Sequence, residues 1–145
     1  MNGGTAELML VFTRKTDFKL MSMTRTGGVW STPTEINTTA FATEPFQVTA
    51  IAGGGAIIAW RGSDTHGYVT VYNGTNWSTP NAIAPFAINS SPAVSVGNCG
   101  SVAVAAYAKS AGNVEMVRYD GSSWANLAVV TKLGTPTFVA IAAQP

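Results

Sequence analysis

Four residues within one short stretch carry the densest chemistry in this 145-residue chain: Trp60, Arg61, Asp64 and His66. A flat indole beside a cation, a carboxylate and an imidazole can stack on the apolar face of a sugar ring while hydrogen-bonding its hydroxyls. Arg14 and Asp17 repeat the cation–carboxylate pair nearer the N-terminus, and Glu44 brings a further carboxylate from an adjacent loop. The competing reading places Trp60 in the core and leaves the charges as an ordinary solvated loop.

The same inventory argues against other chemistries. His66 is the single histidine and has no Cys or carboxylate partners at ligand spacing, so no metal site and no cofactor are expected. Seven acidic residues offer no obvious pair for glycoside hydrolysis. No Ser or Cys nucleophile motif is present. The expectation is a protein that binds rather than catalyses. Net charge is +1 with no basic run, so nothing marks a nucleic-acid partner. The longest apolar stretches, 56–60 and 102–107, fall far short of the roughly 20 residues that cross a bilayer. The first seven residues lack the basic and apolar regions of a secretory signal. A single cysteine, Cys99, excludes an intrachain disulfide.

The elements that must hold these residues are strands. Only 10% of residues are charged, against a usual share of about 25%, so the polar surface is built from Thr, Ser, Asn and Gly. That balance suits all-β proteins, where β-branched residues and turn formers dominate. Self-similarity supplies the plan. Trp30, Trp77 and Trp124 stand 47 residues apart, each preceded three residues earlier by a glycine: Gly27, Gly74 and Gly121. Trp-Ser-Thr-Pro follows at 30–33 and again at 77–80. A second aromatic recurs at Phe12, Trp60 and Tyr107, and prolines at 45, 92 and 136 open strand-like runs.

Each repeat reads as four short strands, A to D. In the second copy these are 46–52, 56–61, 68–72 and 77–83, with Asn73-Gly74 as the hairpin signal between C and D. In the third they are 93–96, 101–108, 114–119 and 124–130. No stretch carries a helical apolar period. The first copy starts at its B strand, 7–13, and a surplus A strand stands at 136–143. The expected architecture is therefore three four-stranded β-propeller blades: 7–36 completed by 136–143, then 45–83, then 92–130. Propellers typically hold 4–8 blades, so three do not close a ring. Two copies give six, and a homodimer closing a six-bladed ring is the expected assembly. A fragment of a longer propeller and an open three-blade array are the alternatives, the latter leaving apolar faces in water.

Ser91-Pro92-Ala93-Val94-Ser95-Val96, Tyr107 and Tyr119-Asp120-Gly121-Ser122-Ser123-Trp124 together resemble bacterial secreted and surface β-propeller repeats. Asn73-Gly74-Thr75-Asn76-Trp77 and the segment 120–124 are also similar to the Asp-box turn of sialidase-type propellers, a folding device on the face opposite the active site. The first copy, Thr26-Gly27-Gly28-Val29-Trp30, departs from that box. The resemblance implies a propeller, an extracellular or cell-surface setting, and lectin-like relatives in design. In such a fold the B–C and D–A loops share one face. These loops hold five of the eight cationic side chains and His66. The expected function is glycan binding on that face by Trp60, Arg61, Asp64, His66, Arg14, Asp17 and Glu44. The alternatives are a protein-interaction or structural propeller and, less favoured, a sialidase-like hydrolase. The recurring Trp30, Trp77 and Trp124 read as structural.

Overall fold

Each tight-turn signal closes a hairpin, and the hairpins join into three four-stranded antiparallel sheets. The computed structural model describes residues 8–36, 45–84, 87–88, 92–96, 103–109 and 112–130. Sheet I holds β1 (Leu8–Thr13), β2 (Leu20–Thr26), β3 (Val29–Trp30) and β4 (Thr34–Glu35). Sheet II runs β5 (Gln47–Ile51), β6 (Gly55–Arg61), β7 (Gly67–Tyr72) and β8 (Asn81–Ala84). Sheet III runs β9 (Ala93–Val96), β10 (Ala103–Ala108), β11 (Val114–Tyr119) and β12 (Trp124–Val130). Among the described residues there is no α-helix, only a 3-10 turn at Ala52–Gly54. The chain is all-β. The segments 136–143 and 37–44, and with the latter Glu44, lie outside the described residues.

The fourth strand of the second repeat is shorter than expected, and that of the first is interrupted, for a chemical reason. In the second copy Trp77 makes only an isolated bridge to Tyr72, and β8 begins at Asn81 rather than at Trp77. In the first copy the strand is cut into β3 and β4, which pair with the same strand, β2. Both breaks fall on Ser-Thr-Pro. Pro33 and Pro80 carry no N–H for the ladder, and Ser31 and Ser78 use their hydroxyls to accept the backbone N–H of Thr24 and Val71, both at 3.1 Å. The third copy has Ala125-Asn126-Leu127 there, and β12 continues as one strand of 7 residues, with a shift of register between its partners Met116 and Val117.

The turns between third and fourth strands come in two chemistries. Asn73 Oδ1 accepts the backbone N–H of Thr75 and Asn76 at 2.9 and 2.8 Å. Asp120 Oδ1 does the same for Ser122 and Ser123, both at 2.8 Å. The side chain thus replaces a backbone acceptor, the reason Asn and Asp favour turns. In the first copy Thr26 pairs directly with Val29, and Gly27 and Gly28 hold φ of 57° and 81°. That is the two-residue hairpin with two positive φ angles, which Gly-Gly adopts without a side-chain acceptor.

Packing joins the sheets through alternating faces. In β6, Ile57 and Ala59 enter a core with Ala103, Ala105 and Tyr107 of sheet III, whereas Ile58 and Trp60 enter one with Leu20 and Ile36 of sheet I. Successive strand residues point to opposite faces, so sheet II is covered on both sides. The outer sheets are not. Leu10 and Trp30 occupy in sheet I the places of Ile58 and Trp77, yet are 48% and 43% exposed. Val130, the counterpart of buried Ile83, is 42% exposed on sheet III.

Candidate functional site

In sheets II and III the loops between second and third strands meet the connection that joins these two sheets. Ile88 donates its N–H to Thr65 O at 3.0 Å, accepts Arg61 Nε at 2.8 Å, and bridges to Lys109. Around Ile88 the loop after β6, the end of β10 and part of the connection between sheets II and III thus meet.

The predicted residues divide into three groups there. Trp60 departs from the expectation of a sugar-stacking surface: it is 0% exposed, packed with Leu20, Ile36 and Ile58. Its ring stacks on Tyr68 at 5.6 Å and 22°. It lies in a strand buried on both faces, so its indole is core. Arg61 spends its Nε on Ile88 O and so ties the loops together.

Asp64 and His66 do come together. Asp64 Oδ1 accepts the His66 N–H at 3.1 Å, and its Oδ2 lies 3.3 Å from His66 Nδ1. Tyr68 donates to the same carboxylate at 2.6 Å. Partial burial opposes ionisation of Asp64, but these donors outweigh it and hold the carboxyl below its usual range. The hydrogen bond to Asp64 pushes the Tyr68 hydroxyl up to about 12.

Arg14 and Asp17 form a separate cluster. Arg14 Nε donates to Asp17 Oδ1 at 2.8 Å, and its Nη2 contacts both Asp17 Oδ2 and, at 3.1 Å, Glu35 Oε2. Lys19 Nζ reaches Glu35 Oε1 at 2.5 Å. The Arg14 hydrogen bond lowers the Asp17 carboxyl, and the Lys19 hydrogen bond lowers that of Glu35, so both stay ionised. Among the described residues no hydrogen bond or ion pair joins this cluster to Asp64 and His66.

The concave surfaces lie elsewhere, between the sheets. A cleft of about 270 Å³ separates sheets I and II. One wall carries Ser22, Thr24 and Glu35; the other carries Tyr72, Thr75 and Trp77. The Tyr72 and Trp77 rings pack at 5.2 Å and 44°, and Trp77 Nε1 donates to Ser22 Oγ at 3.0 Å. A second cleft of about 310 Å³ separates sheets II and III, and most of its residues are those of the first advanced by one repeat, although among the described residues no carboxylate takes the place of Glu35. Val69, Val71 and Asn81 replace Ser22, Thr24 and Thr34, while Tyr119, Ser122 and Trp124 replace Tyr72, Thr75 and Trp77. Tyr119 and Trp124 keep the pairing, at 5.1 Å and 32°. Their volumes stand at the lower edge of the range of about 300–1,000 Å³ for small-molecule pockets.

Neither protein-family models nor curated protein sequences match this chain. Among solved structures it is similar to a fucose lectin from Kordia zhangzhouensis in complex with methyl-fucoside. The TM-score is 0.59 and the identity 14%, over 86% of this chain and 90% of that one. This likeness concerns the fold.

Sequence reasoning missed the clefts, although their signal was present. Tyr72 and Trp77 recur as Tyr119 and Trp124 at the repeat spacing, which marks a structural position, but each is also only half buried against its neighbour sheet. The wall opposite, at Ser22 and Thr24, becomes visible only once the sheets are placed side by side. Among the described residues no group of three or more His, Cys, Asp or Glu could hold a metal.

Proposed function

We propose that the chain is a non-enzymatic saccharide-binding module whose sites are the clefts between successive sheets. The observation that carries this reading is the recurrence, one repeat apart, of a shallow cleft with a Tyr–Trp pair on one wall and polar side chains around it. Aromatic faces take the C–H faces of sugars, while hydroxyls, amides and a carboxylate meet their O–H groups. The fold shared with a fucose lectin supports the reading. Repetition adds avidity, so weak individual clefts suffice.

The assembly belongs to the same proposal. The exposed face of sheet I, with Leu10 and Trp30, repeats the surface that sheet II buries against sheet I. The exposed face of sheet III, with Val130, repeats the surface that sheet II buries against sheet III. A second copy offers each of these faces its complement, and two copies complete a six-bladed propeller. Native mass spectrometry should then give twice the 15.0 kDa of one chain, and Leu10→Glu should return it to one.

Binding is tested on a glycan array, with hits measured by calorimetry. Thr75→Ala and Glu35→Gln should weaken them several-fold. Asp64→Asn and His66→Ala test the loop face, the other location within the same reading. If no glycan binds the dimer, the protein-interaction or structural reading replaces this one.

A further inference from the structure

We infer that the two clefts of one chain select different sugar edges: the cleft between sheets I and II a hydroxylated edge, the cleft between sheets II and III a methyl beside an acceptor oxygen. This rests on the saccharide reading and deepens it.

The difference starts at one pair of equivalent positions, 22 and 69. In the first cleft Ser22 Oγ accepts the Trp77 indole N–H at 3.0 Å, so that donor is already satisfied. The Ser22 hydroxyl keeps its own proton and a lone pair, and Thr24 adds a second hydroxyl on the same strand face. Glu35, pinned by Lys19 and Arg14, presents an ionised carboxylate that only accepts. Every polar group on this wall is complementary to O–H.

In the second cleft the same strand face is Val69 and Val71. Neither accepts a hydrogen bond. Trp124 takes the place of Trp77 against Tyr119, and among the described residues its indole N–H has no acceptor. A half-buried donor left unpaired is unfavourable, and a ligand oxygen that meets it removes that penalty. Val69 is itself buried in the core between sheets II and III, so the valine a ligand meets is the half-buried Val71. Carbon packed on it gains by burial, whereas a hydroxyl there loses its water without a partner. The complement of this wall is therefore a methyl group with an acceptor oxygen next to it. A 6-deoxy edge beside a ring oxygen has that chemistry, and so does an N-acetyl group.

The test uses the whole protein, with 15N-labelled indoles observed by NMR. Free L-fucose carries the first methyl-bearing edge, N-acetylglucosamine the second, and L-galactose, with no aglycone methyl, hydroxyls only. Trp77→Phe and Trp124→Phe assign the two indole signals. One of the two methyl-bearing probes should move the Trp124 N–H signal and bind there at least fivefold tighter than L-galactose. At the first cleft the order should reverse. Val69→Ser, which rebuilds the first cleft's acceptor, should abolish the advantage of the methyl-bearing probe at the second cleft. Ser22→Val should create that advantage at the first, so the inference survives if either variant fails to fold. Equal ratios at both clefts, or ratios unmoved by these exchanges, overturn the inference while leaving saccharide binding intact. Absence of binding by all three probes, together with a silent glycan array, overturns both.

Discussion

Trp77 Nε1 donates to Ser22 Oγ at 3.0 Å, joining sheet II to sheet I across 55 residues of sequence. The bond does two things at once. It fixes the ring that forms one cleft wall, and it consumes the indole donor that a ligand would otherwise use.

Removing the acceptor separates these roles. Ser22→Ala leaves the half-buried N–H unpaired, which costs about 1 kcal/mol, up to about 3 where water stays excluded. Urea unfolding should report that loss, and the Trp77 indole N–H resonance should move upfield. The Asp64–His66 loop should be unaffected, because no hydrogen bond connects it to Ser22.

A second prediction concerns acid. Hydrogen bonds from the Ser123 and Ser122 amides, and from both serine hydroxyls, hold the Asp120 carboxyl far below its usual range. Its folded-state pKa is depressed, so its contribution to stability is complete above the unfolded value of about 3.9 and is lost as pH falls through the folded value. Asp120→Asn keeps the Oδ1 acceptor, as Asn73 shows in the equivalent turn, and cannot titrate. The melting-temperature advantage of the native protein over this variant should therefore hold constant from pH 6 to about pH 5 and shrink steadily from there to about pH 2. A constant difference would show that the turn does not depend on the charge.

These cases also indicate what was legible in the sequence. The repeat, the all-β class and the β9, β11 and β12 boundaries follow from Pro92, Asn113, Trp124 and the hairpin dipeptides, all local signals. The interrupted strand at Trp77 was less visible, because a Ser hydroxyl replacing a ladder bond depends on Ser78 meeting Val71. Trp60 was ambiguous for a different reason. An aromatic at a strand end reads equally as lid or core, and only the two-sided burial of β6 decides. The clefts were legible only in part: the recurring Tyr–Trp pair marks one wall, but Ser22 and Trp77 meet across two sheets.

Thr65 carries a prediction about the loop scaffold. It holds φ of 68°, a left-handed conformation that β-branched residues rarely adopt, where the next repeat has Gly112 at 79°. Such strain costs on the order of 1–3 kcal/mol, and glycine adds back roughly 0.5–1 kcal/mol of unfolded-state entropy. Thr65→Gly should therefore stabilise the protein by about 1 kcal/mol, read as a rise in melting temperature of a few degrees. Its carbonyl bond to Ile88 should persist, because only backbone atoms make it.

The last prediction settles the part played by Trp60. Because its indole is fully buried against Leu20, Ile36 and Ile58, Trp60→Ala should cost about 3–5 kcal/mol, the range for deleting a large core aromatic. Trp60→Phe keeps part of the packing and the ring contact with Tyr68, so it should cost less and stay folded. Chemical denaturation measures both losses. Glycan affinity in Trp60→Phe should match the native protein within experimental error, whereas Trp77→Phe should lower it at the first cleft. If the Phe variant instead lost binding with its stability intact, the indole would have to reach ligand through a rearrangement of β6, and the assignment of this ring to the core would be wrong.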